Sequence, residues 1–303
     1  MSRVALLGAS GFVGTATAEA LRARGAVVVP VRAPRLTSNA TSVADLQADL
    51  ATAAGRAGVE TLRAALEGCD AVVNAAGLAA ATGHHRPDLI GANALLPLAV
   101  ARARPAGARL VHVSSAAVQG RRPVLDESTE RAPFSPYSHS KALGELVLAD
   151  DPGAVVFRPT SVHGAGRDTT RTLVRVLTSW AASVAGPGDG PTPQVLVENV
   201  GDAIAFVTLS TEAPPGVVLQ PWEKLTVAGL VRLLGDREPK HVPARPARLV
   251  VGASARLGAL AGPLAGASRR LEMMWFGQDQ LPGWLDARWS PPVGPSGWKE
   301  LAP

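Results

Sequence analysis

The chain has 303 residues, 47% of them hydrophobic and 18% charged, with a net charge of +5 and a pI of about 10.1. This composition excludes a disordered chain and suffices for one large core, or for a core with a small lobe. Of the 30 basic residues only four are lysine, and the arginines are scattered rather than gathered in a stripe, which argues against a nucleic-acid surface and fits a phosphate-bearing small ligand.

In chain order, short apolar runs alternate with segments of helical period. Met1-Ser2-Arg3 leads into Val4–Leu7, too short for the core of a signal peptide and read as a first strand. Further strands are expected at Ala26–Val31, Ala71–Asn74, Leu110–Ser114 and Ala154–Phe157, with helices at Phe12–Arg24, Val59–Glu67, Pro87–Arg104 and Pro136–Ala149. Such alternation implies parallel strands joined by right-handed crossovers: an α/β fold with a Rossmann-type doubly wound parallel sheet. Beyond residue 160 the pattern loosens. A Pro/Gly-rich loop occupies 186–193, helical segments return at 201–211 and 226–235, and the tail carries Trp222, Trp275, Trp284, Trp289 and Trp298. The expected organisation is a dinucleotide-binding domain over 1–160, with parts of 194–211 returning to it, and a smaller C-terminal substrate lobe over 161–303. Leu249–Gly266 is broken by Arg256 and by small residues. It reads as packed helix rather than a membrane span, which needs about 20 apolar residues. Cys69 is the single cysteine, so no disulfide forms within the chain, and a reducing, cytoplasmic location is expected.

Three constellations carry chemistry. Gly8-Ala9-Ser10-Gly11-Phe12-Val13-Gly14 follows the first strand and opens the first helix. Gly8 suits a tight turn, Gly11 the approach of a pyrophosphate, and Gly14 close helix–strand contact, with the helix dipole directed at the phosphates. The second strand ends in Arg32, with Arg35 behind it and no Asp or Glu between Glu19 and Asp45. An acid there would hold a ribose hydroxyl and an arginine a 2′-phosphate, so NADP(H) is favoured over NAD(H), the alternative being two solvated arginines. Finally Tyr137, the only tyrosine, stands four residues before Lys141, after a Ser135-Pro136 helix start. Positions i and i+4 share a helix face, and a nearby ammonium lowers a phenol pKa from about 10 toward the range of a general acid–base. Ser115, at the end of the strand before it, is placed to bond a carbonyl oxygen. His84-His85 lack a third ligand and read as a loop, so no metal is expected.

Together these residues resemble the extended short-chain dehydrogenase/reductase family of NAD(P)-dependent epimerases, dehydratases and ketoreductases. Gly8–Gly14 matches its glycine motif, Asn74-Ala75-Ala76-Gly77 the segment lining the cofactor, and Ser115, Tyr137 and Lys141 the catalytic set. Arg158-Pro159-Thr160-Ser161-Val162-His163-Gly164 resembles the segment beside the nicotinamide. Val197–Val200 resembles the start of the substrate lobe, and Arg288–Pro291 a late motif. The resemblance implies a cofactor site of Gly8, Ser10, Gly11, Phe12, Val13, Gly14, Arg32, Asp49, Ala75, Ala76, Gly77, Asn93, Ser114, Tyr137, Lys141, Pro159 and Val162. It implies that Ser115 and Tyr137 hold the substrate oxygen, that Tyr137 moves its proton, and that Lys141 bonds the nicotinamide ribose and holds the phenol pKa down. A homodimer through helices near 87–104 and 136–149 is a further expectation.

Departures narrow the reaction. Relatives that eliminate water carry Asp-Glu after the serine, whereas Ala116-Ala117 cannot shuttle protons. Epimerisation at two carbons needs an added acid–base pair, and Cys69 lies at the wrong end of its strand. Gln119 and His163 replace family tyrosines and are candidate substrate contacts. Reduction of a carbonyl, with a 4-keto sugar nucleotide as substrate class, is the leading expectation. A nucleotide-sugar 4-epimerase with bound NAD and a catalytically silent NADP sensor are the alternatives.

Overall fold

The computed structural model describes residues 1–79, 86–260 and 262–302. Its strands are β1 (Arg3–Leu7), β2 (Val27–Val31), β3 (Ala71–Asn74), β4 (Arg109–Val113), β5 (Val124–Leu125), β6 (Ala154–Arg158), β7 (Ser161–His163), β8 (Ser183–Ala185), β9 (Gln194–Leu196), β10 (Val217–Leu219), β11 (Lys240–Val242) and β12 (Asp279–Gln280). The helices are α1 (Phe12–Ala23), α2 (Val43–Leu50), α3 (Ala53–Leu66), α4 (Arg86–Ile90), α5 (Leu96–Ala103), α6 (Pro136–Leu146), α7 (Asp168–Thr178), α8 (Val197–Leu209), α9 (Val227–Gly235), α10 (Ala244–Leu260) and α11 (Gly262–Phe276).

Six strands form one parallel sheet in the order β10-β6-β4-β3-β1-β2, the doubly wound α/β arrangement expected from the alternation of elements. Alternate residues serve opposite faces. Val4, Leu6, Val73, Val111 and Phe157 pack on one side with α1 and α8, while Ala5, Leu7, Val72, Leu110 and Val156 pack on the other with α3 and α5. Burial on both faces is why these strands read as unbroken apolar runs. Pro30 is tolerated because β2 is an edge strand. Since β1 is flanked by β2 and β3, the sheet changes winding direction there, and the crevice outside the carboxyl ends of β1 and β3 is where such sheets bind ligands.

Boundaries shift where local chemistry intervenes. The third helix starts at Ala53, not Val59, because the Thr52 hydroxyl accepts from the Gly55 N–H at 3.2 Å. The helix expected over 87–104 contains a π turn at Gly91–Leu95, where an added Cβ on Gly91 would lie 1.9 Å from the Leu36 carbonyl oxygen. The helices α2 and α7 and the sixth sheet strand, β10, have no counterpart among the elements expected from sequence. Past residue 160, α8 packs against α1, with an added Cβ on Gly201 meeting the Ala16 backbone at 2.5 Å. The Arg109 side chain caps the end of α8, its Nη1 donating to the carbonyls of Val207 at 2.9 Å and Ser210 at 2.7 Å. The tail is pinned by its tryptophans: Trp289 Nε1 donates to Asp202 at 2.7 Å, and Trp298, fully buried, donates to Glu223 at 3.1 Å. Three short parallel pairs, β5 with β12, β7 with β9 and β8 with β11, complete the C-terminal side. Among the described residues no helix is long and apolar enough to cross a membrane.

The turn after β1 is among the tightest points of the fold. Gly8 has φ of +80°, and a Cβ on Gly14 would lie 1.9 Å from the Gly8 carbonyl oxygen, with backbone on both sides and no room to yield. Gly14→Ala is expected to destabilise the chain by about 3 kcal/mol through overpacking. Gly252→Ala, in the exposed middle of α10 with nothing near the new methyl, is expected to stabilise it by about 0.5–1 kcal/mol. Denaturant midpoints of the two variants check the opposite signs.

Candidate active site

Three features of α6 bring Tyr137 and Lys141 to the carboxyl edge of the sheet. Ser135 and Ser138 form a reciprocal cap, with the Ser138 N–H donating to Ser135 Oγ at 3.1 Å and the Ser135 N–H to Ser138 Oγ at 2.9 Å, and Pro136 opens the first turn. Gly144 lets the helix press onto the π turn, since a Cβ there would lie 2.1 Å from the Asn93 carbonyl oxygen. Glu145, fully buried, anchors the far end. Its carboxylate accepts from Arg158 Nε at 3.0 Å and Nη2 at 2.7 Å, Arg131 Nε at 2.9 Å and Ser114 Oγ at 2.6 Å.

Lys141 is buried, and its Nζ donates to the Val113 carbonyl at 2.9 Å, at the end of β4. Desolvation lowers its pKa to about 8, with the Glu145 charge opposing the shift. Tyr137 is half-buried beside Ser115. Desolvation pushes its phenol above the ordinary value of 10, while the Ser115 hydroxyl and the Arg167 charge pull it back. The net shift is thus upward rather than the downward one expected beside a cation: burial outweighs the groups that favour the phenolate.

The glycine turn is built as its sequence suggests. Gly11 N–H donates to the Gly8 carbonyl at 2.9 Å, and Gly11 occupies the N-cap of α1 with no side-chain bond to the helix. The first-turn N–H groups of Phe12 and Val13, with Ser10 exposed alongside, are left for a ligand. A Cβ on Gly8 would meet the Ala76 N at 2.7 Å, so β1 and the Ala75-Ala76-Gly77 segment touch backbone to backbone. On Gly77 it would intrude between Asn93 Oδ1 at 2.7 Å and Lys141 Nζ at 3.2 Å. Asn93 itself holds the Leu78 backbone through both amide ends, at 3.0 Å each, and reaches Ser140 at 3.0 Å. Pro159 accepts from the Ala116 N–H at 2.9 Å, bringing the Pro159–Val162 segment against the Ser115 turn. This cradle fits an extended dinucleotide: bare backbone N–H groups at one end, a glycine-lined gap beside a lysine at the other. Arg32 and Arg35 are both exposed at the end of β2, and Asp49 accepts from the Ser38 hydroxyl at 2.6 Å.

Other residues expected at the site have their polar atoms engaged elsewhere. Ser114 Oγ is bonded to Glu145. Gln119 is fully buried and bonds Asp126 with both amide ends, at 2.6 and 3.1 Å. His163 is buried against Trp298, with Nε2 2.6 Å from Gln194 Oε1 and Nδ1 3.2 Å from Thr170 Oγ1. Cys69 is buried at the amino end of β3, with its thiol pKa raised by desolvation. His84 and His85 lie outside the described residues, among which no group of three or more His, Cys, Asp or Glu could hold a metal. Two residues escaped the sequence reading: Glu145, signalled only by its place four residues after Lys141, and Arg167, in Gly164-Ala165-Gly166-Arg167.

Residues 4–208 match the model of the NAD dependent epimerase/dehydratase family. No curated protein matches the chain. Among solved structures, the fold is similar to human epimerase family protein SDR39U1 with NADPH (20% identity, 99% of each chain, TM-score 0.64). It is similar too to UDP-glucuronic acid 4-epimerase from Bacillus cereus with NAD (14% identity, 99% of this chain and 97% of that one, TM-score 0.63). A third is dTDP-4-dehydrorhamnose reductase from Bacillus anthracis with NADP (18% identity, 80% of this chain and 84% of that one, TM-score 0.58).

The buried His163 has a pH consequence. Desolvation holds its pKa at about 4, against 6.5 for the free side chain. The folded-state value is depressed, so the ring is neutral in both states above 6.5. As pH falls from 6.5 through 4 the unfolded chain takes up the proton first, and up to about 3 kcal/mol of stability is lost. His163→Gln is expected to flatten the dependence of the urea midpoint on pH across that window and leave it unaltered above it.

Proposed function

We propose that this chain, which belongs to the NAD dependent epimerase/dehydratase family, is an NADP(H)-dependent oxidoreductase that reduces a carbonyl, with a nucleotide-linked 4-keto sugar as its substrate class. The observation that carries this reading is the lone phenol of Tyr137, half-buried beside Ser115 at the carboxyl edge of the sheet, with the Lys141 ammonium fixed one helical turn away by the Val113 carbonyl. Fold similarity to a dTDP-4-dehydrorhamnose reductase and a UDP-glucuronic acid 4-epimerase supports the substrate class. The proposed cofactor site runs from the Gly8–Gly14 turn, past Ala75, Ala76 and Gly77, to Lys141, Pro159 and Val162, within a dinucleotide-binding domain of residues 1–160, and residues 161–303 supply most of the substrate lobe.

The dinucleotide, when bound, supplies the hydride that forms the new C–H bond. The chain's residues do the rest. Ser115 and Tyr137 hold the carbonyl oxygen, and the Tyr137 hydroxyl gives up its proton to that oxygen as the alcohol forms, leaving a phenolate that solvent reprotonates. Burial keeps the phenol protonated near neutrality, the form that reduction requires. Lys141, with a pKa of about 8, is mainly charged at pH 7 and supplies a donor beside the Gly77 gap for a ribose hydroxyl. The methyl groups of Ala116 and Ala117 offer no acid or base for eliminating water.

Turnover of NADPH with a panel of keto-sugar nucleotides tests the activity. Tyr137→Phe is expected to lower turnover by at least about 100-fold with NADPH binding retained; undiminished turnover overturns the mechanism. Protein isolated with stoichiometric NAD that does not exchange identifies an epimerase instead. Arg32→Asp is expected to weaken NADPH binding by roughly 30-fold, the loss of one charge-assisted contact of about 2 kcal/mol, and to reverse the preference toward NADH. Equal affinities of the unaltered protein for the two coenzymes remove the argument from Arg32.

A further inference from the structure

The arginines of this chain are scattered, but its acids leave a gap. Between Glu238 and Glu272 there is no Asp or Glu, and the same stretch carries Lys240, Arg245, Arg248, Arg256, Arg269 and Arg270, so the remainder of the chain is close to neutral. This stretch folds as β11 and the paired helices α10 and α11. Arg121 Nη2, donating to Ser268 Oγ at 3.1 Å, and Trp275 Nε1, donating to Ser183 Oγ at 3.3 Å, hold α11 to its surroundings. The sequence from Leu249 onward reads as packed helix, yet only one side of α10 packs. Ala247 and Val251, one turn apart, are buried, and Ser254 Oγ meets Ser268 Oγ of α11 at 3.0 Å. On the other side Leu249 is 75% exposed, Val250 49% and Leu257 59%, with Ala253 exposed between them. Leu249, Ala253 and Leu257 stand four residues apart and form one ridge. Arg245 precedes Leu249 by one turn, Arg256 flanks Leu257, and Arg248 lies over the Phe276 ring at 5.0 Å. Among the described residues none of these three arginines pairs with a carboxylate, and Glu272, the first acid beyond them, is taken by Arg121 and Arg269.

We propose that the outward face of α10 is a docking surface for an anionic lipid bilayer, on which the helix lies in the plane of the head groups. Leu249, Val250 and Leu257 enter the apolar edge of the head-group layer, and the guanidinium groups of Arg245, Arg248 and Arg256 meet the lipid phosphates. Long arginine side chains reach phosphates at more than one depth, so no fixed register between protein and lipid is needed. Other occupants answer only part of the pattern. Nucleic acid would satisfy the arginines and leave the leucines against phosphate and water. In a two-fold pair the same face meets itself, which would bring arginines together with no acid in the segment to separate them. A folded acidic protein needs a surface shaped to the ridge, whereas a bilayer accepts a protruding apolar ridge of any outline. The association is reversible and peripheral, and it requires nothing of Tyr137 or of a coenzyme.

Co-sedimentation of the intact chain with vesicles tests the proposal, without coenzyme or substrate. Vesicles of phosphatidylcholine alone are compared with vesicles that also contain about 30% phosphatidylglycerol. At low salt, partitioning onto the anionic vesicles is expected to be at least about 10-fold stronger than onto the neutral ones, and to fall by a similar factor in about 0.5 M NaCl. The double variant Arg245→Gln, Arg256→Gln is expected to bind anionic vesicles roughly 25-fold more weakly, about 5-fold for each charge removed. Leu249→Gln with Leu257→Gln is expected to weaken binding by at least about 10-fold. All four side chains are exposed, so the variants keep the fold, which circular dichroism checks, and the salt and lipid comparisons need no variant. Equal partitioning onto both kinds of vesicle, binding to neither, or variants that bind as the unaltered protein does overturn the proposal. So does capture by soluble polyaspartate without binding to vesicles, which assigns the face to an acidic polypeptide, or a dimer in sedimentation velocity that Leu249→Gln dissociates, which assigns it to a second copy. None of these results bears on the proposed reduction, which Tyr137→Phe tests separately.

Discussion

The carboxylate of Glu145 and the guanidinium of Arg158 meet through two hydrogen bonds with neither side chain exposed, and the geometry of the site follows from where that pair can sit. Isolated, either charge would be costly to bury, and removing one partner of such a pair typically costs about 3–5 kcal/mol. The paired arrangement is completed by Ser114 from the end of β4, Arg131 from the loop before α6, and the Ser128 carbonyl, which accepts from Arg158 Nη1 at 2.7 Å. One carboxylate thus ties α6 to two adjacent strands and to the loop that leads into the helix. Sliding α6 by a single residue would break several of these bonds together, so Lys141, one turn from Glu145, and Tyr137, two turns away, are held in a fixed register over the strand ends.

Glycines hold the opposite wall. Gly8 and Gly14 bring α1 against β1, Gly77 leaves the gap beside Lys141, Gly144 lowers α6 onto Asn93, and Gly164 seats the β7–α7 loop on Phe12. At Gly8, Gly14 and Gly144 the atom a side chain would strike is backbone, at Gly77 it belongs to Asn93 and Lys141, and at Gly164 to Val197 and Phe12. The crevice is therefore shaped by what is absent from these positions as much as by what lines it, and the Lys141–Val113 and Ala116–Pro159 hydrogen bonds tie α6 and the Pro159 segment to the end of β4 and the turn after it.

The parts legible in the sequence were those whose signal is local. Buried parallel strands leave apolar runs, and five of the six sheet strands lie within a residue or so of where those runs place them. The sixth, Val217–Leu219, is a three-residue strand in a Pro-rich context and carries too little pattern to be noticed. The α2 helix announces itself by a Ser42–Asp45 capping box rather than by an apolar stripe, and α7 by an amphipathic stripe interrupted by threonines. For the candidate site, residue type and spacing single out Tyr137, Lys141 and Ser115, but not the direction of a side chain. Gln119 and His163 hold motif positions, yet their polar atoms are turned to Asp126 and to Gln194 and Thr170, partners distant enough in sequence or weak enough as signals to leave no trace. Arg167 was hidden for the opposite reason: in a chain so rich in arginine one more carries no signal until the Phe12 ring is seen beneath it.

The balance between burial and charge around the phenol sets which protonation form Tyr137 prefers. Removing the Tyr137 hydroxyl from water favours its neutral form, and Ser115 and Arg167 together recover only part of that penalty. Lys141, one turn away, donates to the Val113 carbonyl and lies beside the Glu145 charge. On the proposed mechanism, such a site begins with the proton in place on the Tyr137 oxygen. Running the chemistry the other way starts from the phenolate, the form that desolvation disfavours. Under the proposed mechanism, burial of the hydroxyl thus favours the form of Tyr137 that gives up a proton.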